Sequence, residues 1–348
     1  MRLLIVGNRG GTNVGGCFER AAIAARIEVA VLESRQAMQA PGWLRRANWY
    51  LLGRRPARLR SFGRMLVETA TRFKPDMILA TGIAPLDRGT LKALNSQGIP
   101  VANYLTDDPW SPAHRAPWFL RALSCYTVVF STRRSNMADL GHAGCHSVAY
   151  LPFGYDPGLH FREDIEQPED RENDVLFIGA ADRNRAAYCL GLLESGIRPA
   201  LYGDYWGQFE QLRQCWHGYA QPAEVRRLSR QSRLQLCLVR HANRDGHTMR
   251  SFEAAALGGC LLMEDTFEHR TIFGPEREAV LYFKSVTELQ DSACWLLAHD
   301  GERRRLARAA HARITEGANT YADRLRTILQ SSSQFAQNGA APEWICTR

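Results

Sequence analysis

The stretch LQLCLVRHANRDGHTMRSFEAAALGGCLL, residues 234–262, decides how the chain reads. Leu234–Val239 is a short apolar run of the length of one buried strand. A polar loop follows from Arg240 and ends in the turn-forming pair Asp245 and Gly246. From near His247 a helical pattern runs to Leu257, and Gly258 and Gly259 close it before a new strand at Cys260–Met263. Strand, loop, helix and strand in that order form one βαβ unit, which implies a parallel sheet.

Working outward, the same alternation fills the chain. Strands are expected at Leu3–Val6, Glu28–Leu32, Met77–Ala80, Pro100–Leu105, Thr127–Phe130 and Ser147–Tyr150, then at Asp174–Ile178, Pro199–Tyr202 and Ala279–Phe283. Helices fit Cys17–Arg26, Phe62–Phe73, Leu86–Ser96, Arg133–Leu140, Arg183–Glu194, Ala223–Gln231, Met249–Leu257, Val286–Leu297 and Glu302–Glu316. Residues 156–173 hold Glu163, Asp164, Glu166, Glu169, Asp170 and Glu172 without regular apolar spacing, and read as a linker. The expected organisation is an α/β half at 1–150, a linker at 151–173 and a second α/β half at 174–318. Residues 319–348 read as a closing helix and tail with a path back to the first half, the tail being Ser331–Arg348.

Composition bounds the answer. The chain has 348 residues, 45% of them hydrophobic and 23% charged, proportions that exclude a disordered tail or a membrane bundle. The opening Met1–Gly7 holds an apolar run too short for a secretory core and argues against export. Nine scattered cysteines without a Cys-x-x-Cys pair suggest reduced thiols in a cytoplasm. His142, Cys145 and His146 cluster, but Gly141 and Gly144 break the helix that would align them, so no metal site is expected.

The net charge of +8 is uneven: residues 1–150 carry 20 Lys+Arg against 9 Asp+Glu. Arg45, Arg46, Arg54, Arg55, Arg58, Arg60 and Arg64 appear with no acid among them, interleaved with Trp43, Trp49, Tyr50, Leu51 and Leu52. A nucleic-acid surface, a peripheral contact with an anionic membrane and a site for an acidic acceptor all fit that pattern. So does a solvated pair of helices whose aromatics pack on their own domain. No nucleic-acid motif accompanies the charge, so no nucleic-acid partner is expected.

In a parallel sheet ligands bind beyond the carboxyl ends of the strands, so the loops there hold the candidates. After the first strand, Gly7 to Gly16 includes Gly10 and Gly11, which let backbone N–H groups approach an anion or sugar, or simply make a tight turn. Glu33 stands where a ribose-binding acid of a dinucleotide enzyme would, although the glycine spacing is not that fingerprint. Asp107 and Asp108 end the Pro100–Leu105 strand and suit general-base work or an N-cap; alternation lets only one face a crevice. In the second half the helix start near His247 offers N–H groups to a pyrophosphate. Glu253 lies two turns up, among Phe252 and Ala254–Leu257, and is expected to be at least partly buried and in need of a partner.

The segment Arg250-Ser-Phe-Glu253-Ala-Ala-Ala-Leu-Gly-Gly-Cys-Leu-Leu resembles the donor-site helix of GT-B glycosyltransferases. With Leu151-Pro-Phe-Gly154, with Phe177-Ile-Gly179 before Arg183 and Arg185, and with Asn319-Thr-Tyr321-Ala-Asp-Arg324, residues 100–330 look most like the CgeB (spore maturation) branch of glycosyltransferase group 1. The resemblance implies an α/β, GT-B-like fold of two Rossmann-like domains facing each other across a cleft. It also implies a nucleotide-diphosphate sugar, most commonly a UDP-sugar, on the second domain, and an acceptor on the first. The family's E-x7-E pair falls on Asp245 and Glu253, aspartate standing where the family has glutamate. Arg183 or Arg185 would neutralise the diphosphate, His247 would contact it, and Gly10, Gly11, Gly179, Arg240, Gly246, Arg250 and Glu253 complete the donor-binding set, with Asp107, Asp108 and Asp245 as the catalytic candidates. The outcome implied is retention, and with no D-x-D triplet in the chain, transfer without a cofactor or divalent metal. A nucleotide-sugar epimerase or a nicotinamide-dependent oxidoreductase remains the alternative reading, and a non-catalytic nucleic-acid or membrane-surface binder the third.

Overall fold

A computed structural model describes residues 1–162 and 173–338, so the acidic residues Glu163 to Glu172 of the expected linker lie outside the described residues. The chain separates into two units: Met1–Pro152 with Ala242–Arg244 and the segment from Tyr321, and Phe153–His241 with Asp245–Thr320.

The first unit is built on β1 (Arg2–Gly7), β2 (Glu28–Glu33), β3 (Met77–Thr81), β4 (Val101–Leu105), β5 (Val128–Ser131) and β6 (Val148–Tyr150). They pair in parallel in the order β2-β1-β3-β4-β5-β6. Leu3–Val6 of β1 are fully buried, because a central parallel strand is covered on both faces, whereas edge strand β2 is mostly half-exposed. Each such Leu, Ile or Val contributes roughly 1.5–3 kcal/mol by leaving water. The helix Leu59–Phe73 buries Leu59, Phe62, Leu66 and Ala70, one stripe at helical spacing, into this core. The closing helix Tyr321–Asn338 also belongs here: Tyr321 and Tyr104 both meet Phe18 of the helix Val14–Ala24 edge-on, at 5.4 and 5.1 Å. That helix overruns the tail expected from Ser331, and Ser331 itself is buried.

The second unit carries β7 (Asn173–Ile178), β8 (Pro199–Tyr202), β9 (Ser232–Cys237), β10 (Leu261–Glu264) and β11 (Leu281–Phe283), all parallel in the order β11-β10-β9-β7-β8. Val175 faces Leu234 on one side and Pro199 on the other, which fixes the register of the centre. In each sheet the strand order reverses once, between β1 and β3 and between β7 and β9. Such switch points open crevices at the carboxyl ends of the strands.

Two α/β units built on parallel sheets were expected; the strand orders were not. Short helices at Pro117–Leu120 and Phe267–Phe273 and the helix Gly42–Leu51 are additions. β9 starts two residues before the expected Leu234 and ends at Cys237, since its pairing runs from Asn173↔Ser232 to Met263↔Cys237. Leu238 and Val239 continue as loop, with the Val239 N–H donating to Glu264 Oε2 at 3.0 Å.

Candidate functional site

At the β7/β9 switch point the chain leaves β7 through Gly179, Ala180 and Ala181. Gly179 accepts close approach: its N–H reaches Tyr202 O at 2.8 Å, and Trp206 donates to its carbonyl at 2.9 Å. Asp182 caps the helix Arg183–Glu194 by accepting from the Arg185 N–H at 3.0 Å. Arg183 is exposed on the first turn. Arg185 is buried, and its guanidinium donates to Ala180 O at 3.0 Å and to Leu238 O at 3.1 Å, tying the end of β7 to the end of β9. Burial first, and the neighbouring Arg240 second, push the Arg185 guanidinium below the ordinary arginine range, with Asp182 and Asp245 opposing. Positive charges gathered in this way are stabilised by an anion.

The loop after β9 is braced from below. Glu264, buried at the end of β10, accepts from Val239 N–H and pairs with His241. The Asp245 N–H reaches Arg240 O at 3.3 Å, and Thr266 Oγ1 donates to Gly246 O at 2.5 Å. Gly246 is packed closely against Glu268: a Cβ there would stand 2.3 Å from Glu268 Oε2 and displace that buried carboxylate. The helix begins at Met249, two residues past the expected start near His247, with Thr248 as its cap in a reciprocal box with Ser251. His247 is fully enclosed rather than open at a helix start. Its Nδ1 contacts Glu268 Oε2 at 2.8 Å, and its Nε2 accepts from the Phe153 N–H at 3.1 Å.

Glu253 is 1% exposed. Its Oε2 takes a bond of 2.5 Å from Arg250, while Oε1 has no hydrogen-bond partner. His160 Nε2 stands 3.4 Å from that oxygen, near enough for an ion pair but without hydrogen-bond geometry. The Asp156 N–H donates to His160 Nδ1 at 3.3 Å, so the proton of a neutral ring sits on Nε2, near Glu253 but not aligned with its oxygen. Burial holds the His160 pKa down, against the pull of Glu253. A buried carboxylate oxygen left short of donors is a place a hydroxyl-bearing ligand can satisfy.

In the first unit, Asp108 is 1% exposed and engaged throughout. Arg244 grips it with bonds of 2.6 and 3.0 Å, Asn136 donates at 3.3 Å, and its own N–H donates to Asn243 at 2.8 Å. Arg244 also reaches Asp139 at 2.8 Å. An acid so committed anchors the Ala242–Arg244 loop. Asp107 is the more accessible of the pair, its side chain 37% exposed, with Thr106 Oγ1 at 3.0 Å and His114 at 3.9 Å. Gly10 and Gly11, both with positive φ, lie in the loop at the β1/β3 switch point of this unit, whereas Arg185 belongs to the second unit. Glu33 accepts from the Arg9 N–H at 3.2 Å, an oxygen a dinucleotide ribose would need.

The structure thus brings together Gly179, Arg185, Arg240 and Asp245, with Arg183 on the adjoining helix, Gly246 and His247 in the loop before the next helix, and Arg250 and Glu253 on that helix. His160, Glu264, Glu268 and His269 were not singled out in the sequence. They are distant from the loop in the chain and carry no motif.

Two α/β units, each with a parallel sheet whose order reverses once and the second with charged groups gathered at its switch point, make a GT-B-like fold. Residues 171–330 match the family described as Glycosyl transferase-like, so the second half of the chain carries a glycosyltransferase domain. The fold resembles that of sucrose-phosphate synthase from Thermosynechococcus elongatus, with 12% identity over 97% of this chain and 99% of that one and a TM-score of 0.71. It also resembles Anabaena Alr3699/HepE, solved in complex with UDP-glucose (14% identity, 96% and 100% of the chains, TM-score 0.67). A protein from Listeria monocytogenes assigned as a UDP-N-acetylglucosamine 2-epimerase shares the fold as well (13% identity, 98% and 99%, TM-score 0.60). No curated protein sequence matches the chain.

Proposed function

We propose that the protein transfers a sugar from a UDP-sugar to an acceptor hydroxyl, with retention and without a divalent metal, and that it belongs to the CgeB-like branch of group 1. The observation that carries this reading is the pairing of Arg185 and Arg240 at the β7/β9 crevice with a buried Glu253 whose Oε1 lacks a donor. Arg240, Arg183 and the helix start at Met249 hold the diphosphate. Arg185 and His247 position them, through the carbonyls and the Glu268 contact already described. Glu253 takes the ribose hydroxyls, and Asp245 stands against the sugar ring. The bond from the anomeric carbon to the diphosphate oxygen breaks, and a bond to the acceptor oxygen forms on the same face. The hydroxyl proton leaves with UDP. Positive groups aimed at the departing diphosphate stabilise the charge that develops there. On the first unit, Asp107 and the Gly10–Gly11 loop are assigned to the acceptor, which is anionic or lipid-linked. The eight described cysteines are free, consistent with a reducing cytoplasm where nucleotide sugars are made.

The Listeria likeness keeps one rival in view, a nucleotide-sugar epimerase. Thermal shift against UDP-, GDP- and dTDP-sugars, followed by product analysis of the stabilising donor, tests both. Release of UDP with transfer or slow hydrolysis supports the proposal, whereas an epimerised sugar nucleotide without UDP release refutes it. Stabilisation by NAD alone would also refute it.

A further inference from the structure

The helix Gly42–Leu51 buries none of its residues. Trp43 is 72% exposed, Trp49 44%, Tyr50 80%, Leu51 80% and Leu52 52%. The aromatics therefore do not pack on their own domain, and five large apolar side chains in water on one short segment, four of them consecutive, mark a contact surface. Arginine surrounds them, and no acid occurs from Ser34 to Val67. Trp43, Arg46 and Tyr50, at i, i+3 and i+7, share one face of the helix. Its far end is fastened to the unit: Arg54 stacks over Trp49 at 5.1 Å and donates to Arg115 O at 3.0 Å, and Trp118 donates to Arg54 O at 3.3 Å. Two open depressions flank the helix. One of about 590 Å³ is lined by Trp43, Arg46, Tyr50 and Arg55, and one of about 550 Å³ by Leu51, Leu52, Arg60 and Arg121. Both pair guanidinium groups with apolar walls.

We infer that this face docks the protein on an anionic phospholipid bilayer. Trp43, Tyr50, Leu51 and Leu52 enter the boundary between headgroups and acyl chains, and the arginines hold lipid phosphates. Ten residues of helix extend about 15 Å, half of a hydrocarbon core, so the segment lies on a membrane and does not cross it. Among the described residues no helix is long and apolar enough to cross. A nucleic acid would satisfy the arginines and could stack on the aromatics, but it would leave Leu51 and Leu52 in water. The inference deepens the proposed function by placing the acceptor at a lipid surface, and the docking itself does not depend on that reading.

The test is flotation of the full chain with phosphatidylcholine vesicles, with and without phosphatidylglycerol, at low and high salt, beside calorimetric titration of UDP. The chain is expected to float with the anionic vesicles only and to be released by salt. Arg45→Gln and Arg46→Gln should each weaken partitioning about five-fold. Combining Trp43→Ser with Tyr50→Ser should abolish flotation at unchanged Tm, since neither side chain is packed. Failure to float with anionic vesicles at low salt overturns the docking, as does a double variant that floats like the parent or oligonucleotide binding in place of vesicle binding. UDP binding that persists through such a failure leaves the donor reading standing. Flotation without any UDP binding removes the donor reading and leaves the docking.

Discussion

Glu253 holds its place by contacts of unequal quality. Arg250 satisfies one oxygen, and the other meets only the edge of His160. If that second oxygen serves a ribose, Glu253→Gln should lower UDP affinity about ten-fold or more, since hydrogen bonds to a charged group are worth roughly 1.5–3 kcal/mol. Tm should hardly move, because a neutral amide is cheaper to bury than a carboxylate. Arg240→Ala should weaken UDP by a similar factor and lower kcat as well, if the guanidinium meets charge that grows on the leaving group. Donor titrations and single-turnover rates read both effects. The sequence made Glu253 legible because one carboxylate amid Phe252 and four apolar neighbours is conspicuous. His160 was invisible, 93 positions away in a stretch without periodicity.

At the scale of elements, the helix Met249–Ala256 is held by a directional chain of bonds. The Thr248 N–H donates to Ser251 Oγ at 3.2 Å, Ser251 Oγ meets His269 Nε2 at 2.9 Å, and His269 Nδ1 lies 2.7 Å from Glu264 O. A carbonyl can only accept, so Nδ1 carries the proton and Nε2 takes the serine hydroxyl. The ring must stay neutral, and burial, chiefly, pushes its pKa down to about 4. Unfolded histidine titrates near 6.5. Stability from this group is therefore complete above about 6.5 and is lost as pH falls towards 4, because the unfolded chain binds the extra proton first. The loss is on the order of 3 kcal/mol by pH 4, and it should be visible as a falling Tm that His269→Gln flattens. Gly246→Ala should be costly for a different reason, with a Cβ forced against Glu268. The pattern of strands was readable because buried parallel strands are nearly continuous apolar runs, as in Leu3–Val6. Helix ends were less so: the pattern starts the helix near His247, but the box that Thr248 forms with Ser251 sets its start at Met249. The helix Phe267–Phe273 was missed because its seven residues are too few to show a period.

Across the whole molecule, the first unit is discontinuous: its fold needs the last helix of the chain as well as its first 152 residues. Tyr321 is buried against Phe18, and Arg324, 6% exposed, donates to Pro152 O at 2.8 Å. Tyr321→Ala should cost about 3 kcal/mol, the usual scale for removing a buried aromatic. Truncation after Thr320 should expose this face and leave the first unit unable to complete its core. Chemical denaturation followed at Tyr and Trp, with the single variant beside the truncation, measures both. That dependence was only partly legible, for Tyr321 and Arg324 entered through a family resemblance, while their partners lie some 170 to 300 positions upstream.

The proposed function has a diphosphate nucleotide held at the end of β9, with its ribose on Glu253. Calorimetric titration of UDP into the parent and into Glu253→Gln, without vesicles or acceptor, tests it most directly. The expected result is saturable binding by the parent and at least a ten-fold loss in the variant. Equal affinities in the two proteins, or no binding by the parent, would contradict it.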